Sequence, residues 1–231
     1  MFTFSGTPVM FVALLVFFGF SSLWEAWSTV RADSPGGRLS HGWHLLMGLL
    51  MLVMVPQAWW MPFHKVIPLP VSIIVMALGA IWFIVRALRP GDGSRAHASS
   101  CALMFVAMVW HLWAMQAKMV HSLALSIPAQ RDMDHSHMDH HHEHHMGHGD
   151  MGDHWLQQAQ QSGGLLWWFA AIGIPIMAAL LILGLIDLVR GLRGREHRGD
   201  QLASAAMMLG MFWMSVGILT PILPFMGAFR I

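Results

Sequence analysis

The sequence predicts an all-α integral membrane protein: six transmembrane helices forming three repeated helical hairpins, a pseudo-threefold bundle with both termini outside. Three observations carry this. Of 231 residues, 56% are hydrophobic and 11% charged, where soluble domains run at about 25% charged. The apolar residues gather in six blocks, each long enough to cross a hydrocarbon core at about 20 residues per helix. Alternate blocks carry the same side-chain pattern at the same spacing.

The first block, about 8–30, has no charge before Glu25. It lacks the basic start of a secretory signal and is expected to remain a helix. The second, about 41–62, carries His44, Met47, Met51 and Met54, then Pro56, a residue that bends or ends helices. The third, about 67–88, is rich in Leu, Ile and Val. The fourth, about 99–122, carries Cys101, Met104, Met108 and His111. The fifth, about 165–190, is again aliphatic, and the sixth, about 202–224, carries Ser204, Met207, Met211 and Met214. This divides the chain into membrane hairpins one and two (1–122), a polar segment (123–164) and hairpin three (165–231).

The repeat is legible in the spacings. Each set of four follows the offsets 3, 4, 3, and eleven of the twelve positions are His, Met or Cys. Odd blocks end in Val30-Arg31, Val85-Arg86 and Val189-Arg190, and the first pattern position follows each Arg by 13, 15 and 14 residues. The first two sets lie 57 residues apart and the last two 103, which is the same repeat with an insertion of 46. The even blocks hold twelve of the 21 methionines and the odd blocks three. A methionine used only as flexible filler would not favour alternate helices so strongly.

Orientation follows from the basic residues. The loops after blocks one, three and five hold nine of the 13 Lys and Arg residues, and the opposite side holds four. The first group is expected in the cytoplasm, which places the polar segment outside a cell (inner or plasma) membrane.

On a helix, the offsets 0, 3, 7 and 10 fall within about 80° of one another. Each even helix then carries a narrow stripe of His, Met and Cys, ligands that suit copper. Thioether sulfur is soft and neutral and selects Cu(I) over ions that prefer oxygen. Layers of Met47/Met104/Met207 and Met51/Met108/Met211 would each offer three sulfurs. Met54/His111/Met214 would follow, with His44/Cys101/Ser204 at the cytoplasmic mouth. Histidine within a membrane span is costly without a partner, which marks His44 and His111 as candidates.

The polar segment is dense in His135, His137, His140, His141, His142, His144, His145 and His148, followed by His154 and interleaved with Met133, Met138, Met146 and Met151. His-rich tracts bind metals with little selectivity, taking Cu(II), Zn(II) or Ni(II), and the interleaved methionines tilt the expectation to copper. Its low apolar content predicts disorder until metal binds.

Composition excludes other classes. Net charge is +1, which gives no footing for nucleic acid. Cys101 is the sole cysteine, so neither an internal disulfide nor a four-thiolate site can form within one chain. No nucleotide-binding loop, Ser/His/Asp arrangement or metalloprotease motif is present, so an enzyme is not expected. Glu25 and Asp187, near the cytoplasmic helix ends, are read as structural anchors ahead of a proton relay, with Asp187 spaced to pair with Arg190.

The pairs Met47/Met51, Met104/Met108 and Met207/Met211, with the His/Met-rich segment outside, resemble the Ctr family of copper transporters, in which a Met-x-x-x-Met helix lines a threefold pore. The resemblance covers these motifs alone; it implies copper transport, although Ctr chains have three helices and this one has six. The whole chain also resembles a group of actinobacterial-type multi-helix membrane proteins with His/Met-rich helices, a likeness that carries no activity. The leading expectation is Cu(I) binding on the stripes, metal capture by the polar segment, and translocation across the bilayer. Its alternative is a membrane copper chaperone, reservoir or sensor that serves metalloenzyme maturation, with a copper chaperone or oxidase subunit as partner. A haem-binding electron carrier using His44 and His111 and a metal-free scaffold rank below these.

Overall fold

A computed structural model describes residues 8–89, 95–131, 165–194 and 198–219. The described residues form seven helices and no strand: α1 (Pro8–Arg31), α2 (Pro35–Met54), α3 (Gln57–Val66), α4 (Leu69–Leu88), α5 (Arg95–Arg131), α6 (Leu165–Arg193) and α7 (Arg198–Leu219).

Turn chemistry sets the boundaries. Ser34 caps α2, its Oγ accepting from the Gly37 N–H at 3.1 Å, and Pro35 stands in the first turn, where a missing N–H costs nothing. Arg38 Nε donates back to the Ala32 carbonyl at 2.9 Å and ties the short connection down. The second apolar block, expected as one helix over about 41–62, is instead two. Helix α2 starts at Pro35 and stops at Met54, and α3 restarts at Gln57. Pro56 lies at the break, because it has no N–H to continue the ladder and disfavours helical backbone at Val55. Pro68 and Pro70 shape the start of α4 in the same way. Pro175 stays within an unbroken α6. Helix α5 runs on to Arg131. Residues 123–131 of the segment 123–164 expected to be disordered are thus helical, and the rest, 132–164, with all of its histidines, lies outside the described residues.

Four helical stretches among the described residues are long and apolar enough to cross a membrane: Pro8–Arg31, Leu69–Leu88, His97–Ala117 and Ala171–Arg193. Helices α2 and α7 have 20 and 22 residues, but glycine and charge in their first turns, with His41 and His44 in α2, lower their apolar content. Outward faces carry bare aliphatics: Leu23 is 76% exposed, Ile74 61% and Ile182 58%. Apolar surface of this extent suits lipid rather than water.

Each long helix packs chiefly on its sequence neighbour: α1 on α2, α4 on α5, α6 on α7. The pairs join in a ring through α1 against α7, α6 against α5 and, most lightly, α4 against α2. Close approach depends on small residues. A Cβ at Gly48 of α2 would fall 2.7 Å from Ser22 Oγ of α1, and one at Gly79 of α4 would fall 2.5 Å from the Phe105 ring of α5.

Candidate metal centre

All three stripes face inward. His44, Met47, Met51 and Met54 on α2, Cys101, Met104, Met108 and His111 on α5, and Met207, Met211 and Met214 on α7 are buried, and Ser204 is half-buried. The nine sulfur-bearing members belong to one continuous core. Helical spacing explains the shared orientation within each stripe. The hairpin pairing explains why three separate stripes reach the same interior, because α1, α4 and α6 lie beside the stripe-bearing helices and present aliphatics outward.

Two contacts relate the stripes in depth. His111 Nδ1 and Ser215 Oγ are hydrogen-bonded at 2.9 Å, joining α5 to α7 beside Met214. A Cβ at Gly48 would lie 3.4 Å from the Met207 methyl, so the tip of Met207 reaches α2 beside Met47.

The first position of every stripe opens on one cavity of about 600 Å³: His44, Cys101 and Ser204 line it, with Met104 and Met207 one step deeper. His44 is held by aromatic rings, 4.9 Å from Phe83 and 5.8 Å from Phe105 between centroids. Its Nε2 is buried without a hydrogen-bond partner.

The carboxylates around this cavity are committed to neighbours. Glu25 Oε2 pairs with His41 Nδ1 at 2.8 Å. Asp187 Oδ2 accepts from Ser204 Oγ at 3.0 Å, and its other oxygen lies 3.9 Å from Arg190. Asp200 Oδ1 accepts from Trp24 Nε1 at 2.7 Å. Glu25 and Asp187 therefore join helices at this end, the anchoring role their positions predict. Nearby, the Ser40 hydroxyl receives Arg86 and Trp82.

Among the described residues, no three His, Cys, Asp or Glu side chains are grouped as a ready metal site. A metal held in this interior would need the methionine sulfurs as well. His135, His137, His140, His141, His142, His144, His145 and His148 lie outside the described residues.

Sequence reasoning passed over His97, whose Nε2 lies 3.6 Å from Cys101 Sγ. The available signal was its place one helical turn before Cys101. It also passed over Ser215, which sits one residue beyond the last stripe position.

The family model described as a domain of unknown function (DUF5134) matches residues 36–214. The chain belongs to the DUF5134 family. The match covers more than three quarters of the chain and runs through all three stripes, ending at Met214. No curated protein and no solved structure matches this DUF5134 chain.

Proposed function

We propose that this DUF5134 protein handles copper in the membrane, binding Cu(I) on the Met/His stripes of α2, α5 and α7 and passing it across the bilayer. The observation that carries the reading is the burial of eleven soft or borderline ligands on three helices around one core, their first layer opening on a shared cavity. Thioether sites are weak and neutral, and conduction requires sites that bind and release. The His/Met-rich segment captures metal ions outside. Cu(I) is the cargo, so no catalysis is required.

In this reading α2 and α7 also span the bilayer, giving six spans in three hairpins. The ring supports a pseudo-threefold order: α1 touches the second helix of hairpin three, α6 that of hairpin two, and α4 that of hairpin one. The nine-to-four bias of basic residues supports a cytoplasmic cavity mouth and extracytoplasmic termini in a cell membrane.

A second reading, a copper chaperone, reservoir or sensor docking on a maturing oxidase or another copper chaperone, is favoured by one observation. Met51, Met54, Met108 and Met211 are each 2% exposed or less, so the stripe below the cavity is packed rather than open.

The test uses full-length protein with the nine loop histidines changed to Asn. Cu(I) stoichiometry and affinity are measured by competition with a chromophoric chelator. Changing Met51, Met108 and Met211 to Leu is expected to lower both. Unchanged binding would sink the stripe reading. Binding that persists while vesicles show no flux would favour the reservoir.

A further inference from the structure

We propose that the cavity holds a distinct Cu(I) site, not preassembled, in which the adjacent Cys101 thiolate and His97 imidazole take the ion first and His44 is drawn in from across the cavity as it binds. This rests on the copper reading of the stripes and goes beyond it, because a thiolate–imidazole site differs in kind from the thioether layers below.

Cys101 and His97 share one face of α5, four residues apart, with Nε2 and Sγ 3.6 Å from each other. His44 comes from α2 and lines the same cavity. It is 6% exposed, and its Nε2 has no hydrogen-bond partner. A buried unpaired nitrogen is destabilising in an apolar interior. A metal ion in the cavity that His44 lines, beside the Phe83 and Phe105 rings, would supply that partner. Met104 and Met207 line the same space and offer thioethers as further donors.

The donor set selects the ion. Thiolate, imidazole and thioether together favour Cu(I). Zinc would be served worse, since it takes four thiolate, imidazole or carboxylate ligands. The nearby carboxylates are engaged by His41, Ser204 and Trp24. They act as a negative wall that draws a cation in, partly offset by Arg190, which also lines the cavity.

Accessibility assigns the order of contact. His97 is exposed and Cys101 fully buried, so an ion entering from the cavity side meets His97 first. The ion then forms a bond to Cys101 sulfur as the S–H bond breaks, and the proton leaves to solvent. Copper stays Cu(I) throughout, and no electron moves.

Cys101 is the sole cysteine, which gives the site its own signature. Full-length protein in detergent is titrated with Cu(I) anaerobically, with a thiol-free reductant, and followed by ultraviolet sulfur-to-copper charge transfer. The expected result is a band saturating at one Cu(I) per chain and lost in Cys101→Ser. His97→Ala and His44→Ala should each weaken the banded site about tenfold or more in chelator competition. His64→Ala, on α3 and away from the cavity, should leave it unchanged. His97 is exposed, so its variant keeps the fold and the test does not depend on the buried Cys101 or His44 variants. A wild-type protein that binds Cu(I) through Met51, Met108 and Met211 yet shows no band would overturn this site and leave the copper reading standing. Copper bound only by the loop histidines would remove both. A band indifferent to His97→Ala would overturn the assignment of His97.

Discussion

Gly79→Ala tests the packing that holds His44 in place. The added Cβ would sit 2.5 Å from Phe105 Cε1 and 2.6 Å from Cδ1. Carbon atoms prefer separations of about 3.5–4.0 Å, so ring or helix must retreat by on the order of 1 Å. Phe105 has little room to retreat. It is 0% exposed, lies 5.2 Å from Phe83 at an interplanar angle of 27°, meets Trp43 edge-on at 6.3 Å and touches the His44 ring at 5.8 Å. Overpacking of a well-filled core costs about 1–3 kcal/mol. The expected result is a loss of that size, measured by reversible denaturant unfolding in detergent micelles with tryptophan fluorescence as the probe. The matched control is Gly42→Ala on α2, where a Cβ meets nothing within 4 Å. There the gain in helix propensity should be neutral to about 1 kcal/mol stabilising. Equal stability of the two variants would refute the packing argument. Under the proposed cavity site, Gly79→Ala should also weaken Cu(I) binding, because Phe105 bears on His44.

Three further outcomes are expected. His111→Leu leaves Ser215 Oγ, in a residue 1% exposed, without its 2.9 Å partner and should cost about 1–3 kcal/mol. A double-mutant cycle with Ser215→Ala should return a coupling of about 0.5–3 kcal/mol, and strict additivity would contradict the contact. Trp24→Phe removes the donor to Asp200 at 2.7 Å; a loss of about 1.5–3 kcal/mol is expected in the same unfolding assay, whereas a silent substitution would show that this end is not joined by that bond. Met51→Leu, Met108→Leu and Met211→Leu should each cost less than about 1.5 kcal/mol, since Leu and Met are close in volume. Copper binding that falls while stability holds would separate ligation from packing, and parallel loss of both would merge them.

That each stripe shares one face was legible, because helical periodicity puts offsets 0, 3, 7 and 10 together; that the three faces turn to one interior came from the helix pairing, which periodicity does not carry. The stop at Pro56 was legible from its missing N–H. The start of α2 was readable in Ser34-Pro35, a cap followed by a first-turn proline, yet hydropathy outweighed it because Gly36, Gly37 and Arg38 look like loop. Which helix meets which could not be read. The contacts of α1 with α7 rest on single polar groups, Ser21 donating to the Ala203 carbonyl at 3.2 Å and Trp24 to Asp200. No periodicity announces pairs so distant in sequence. His97 was missed because its first turn of α5 is polar and reads as loop; the i, i+4 spacing to Cys101 was legible, but the cavity they share with His44 is made only by the fold.

The docking of α7 on α1 also sets a schedule for biogenesis. A ribosome makes α1 long before α7, and the Ser21 and Trp24 contacts to Ala203 and Asp200 cannot exist until the last described helix has been made. Until then Ser21 and Trp24 lack their α7 partners, while Ser22 and Glu25 already face α2. A chain stopped short of α7 would leave the Ser21 hydroxyl and the Trp24 indole N–H without these acceptors.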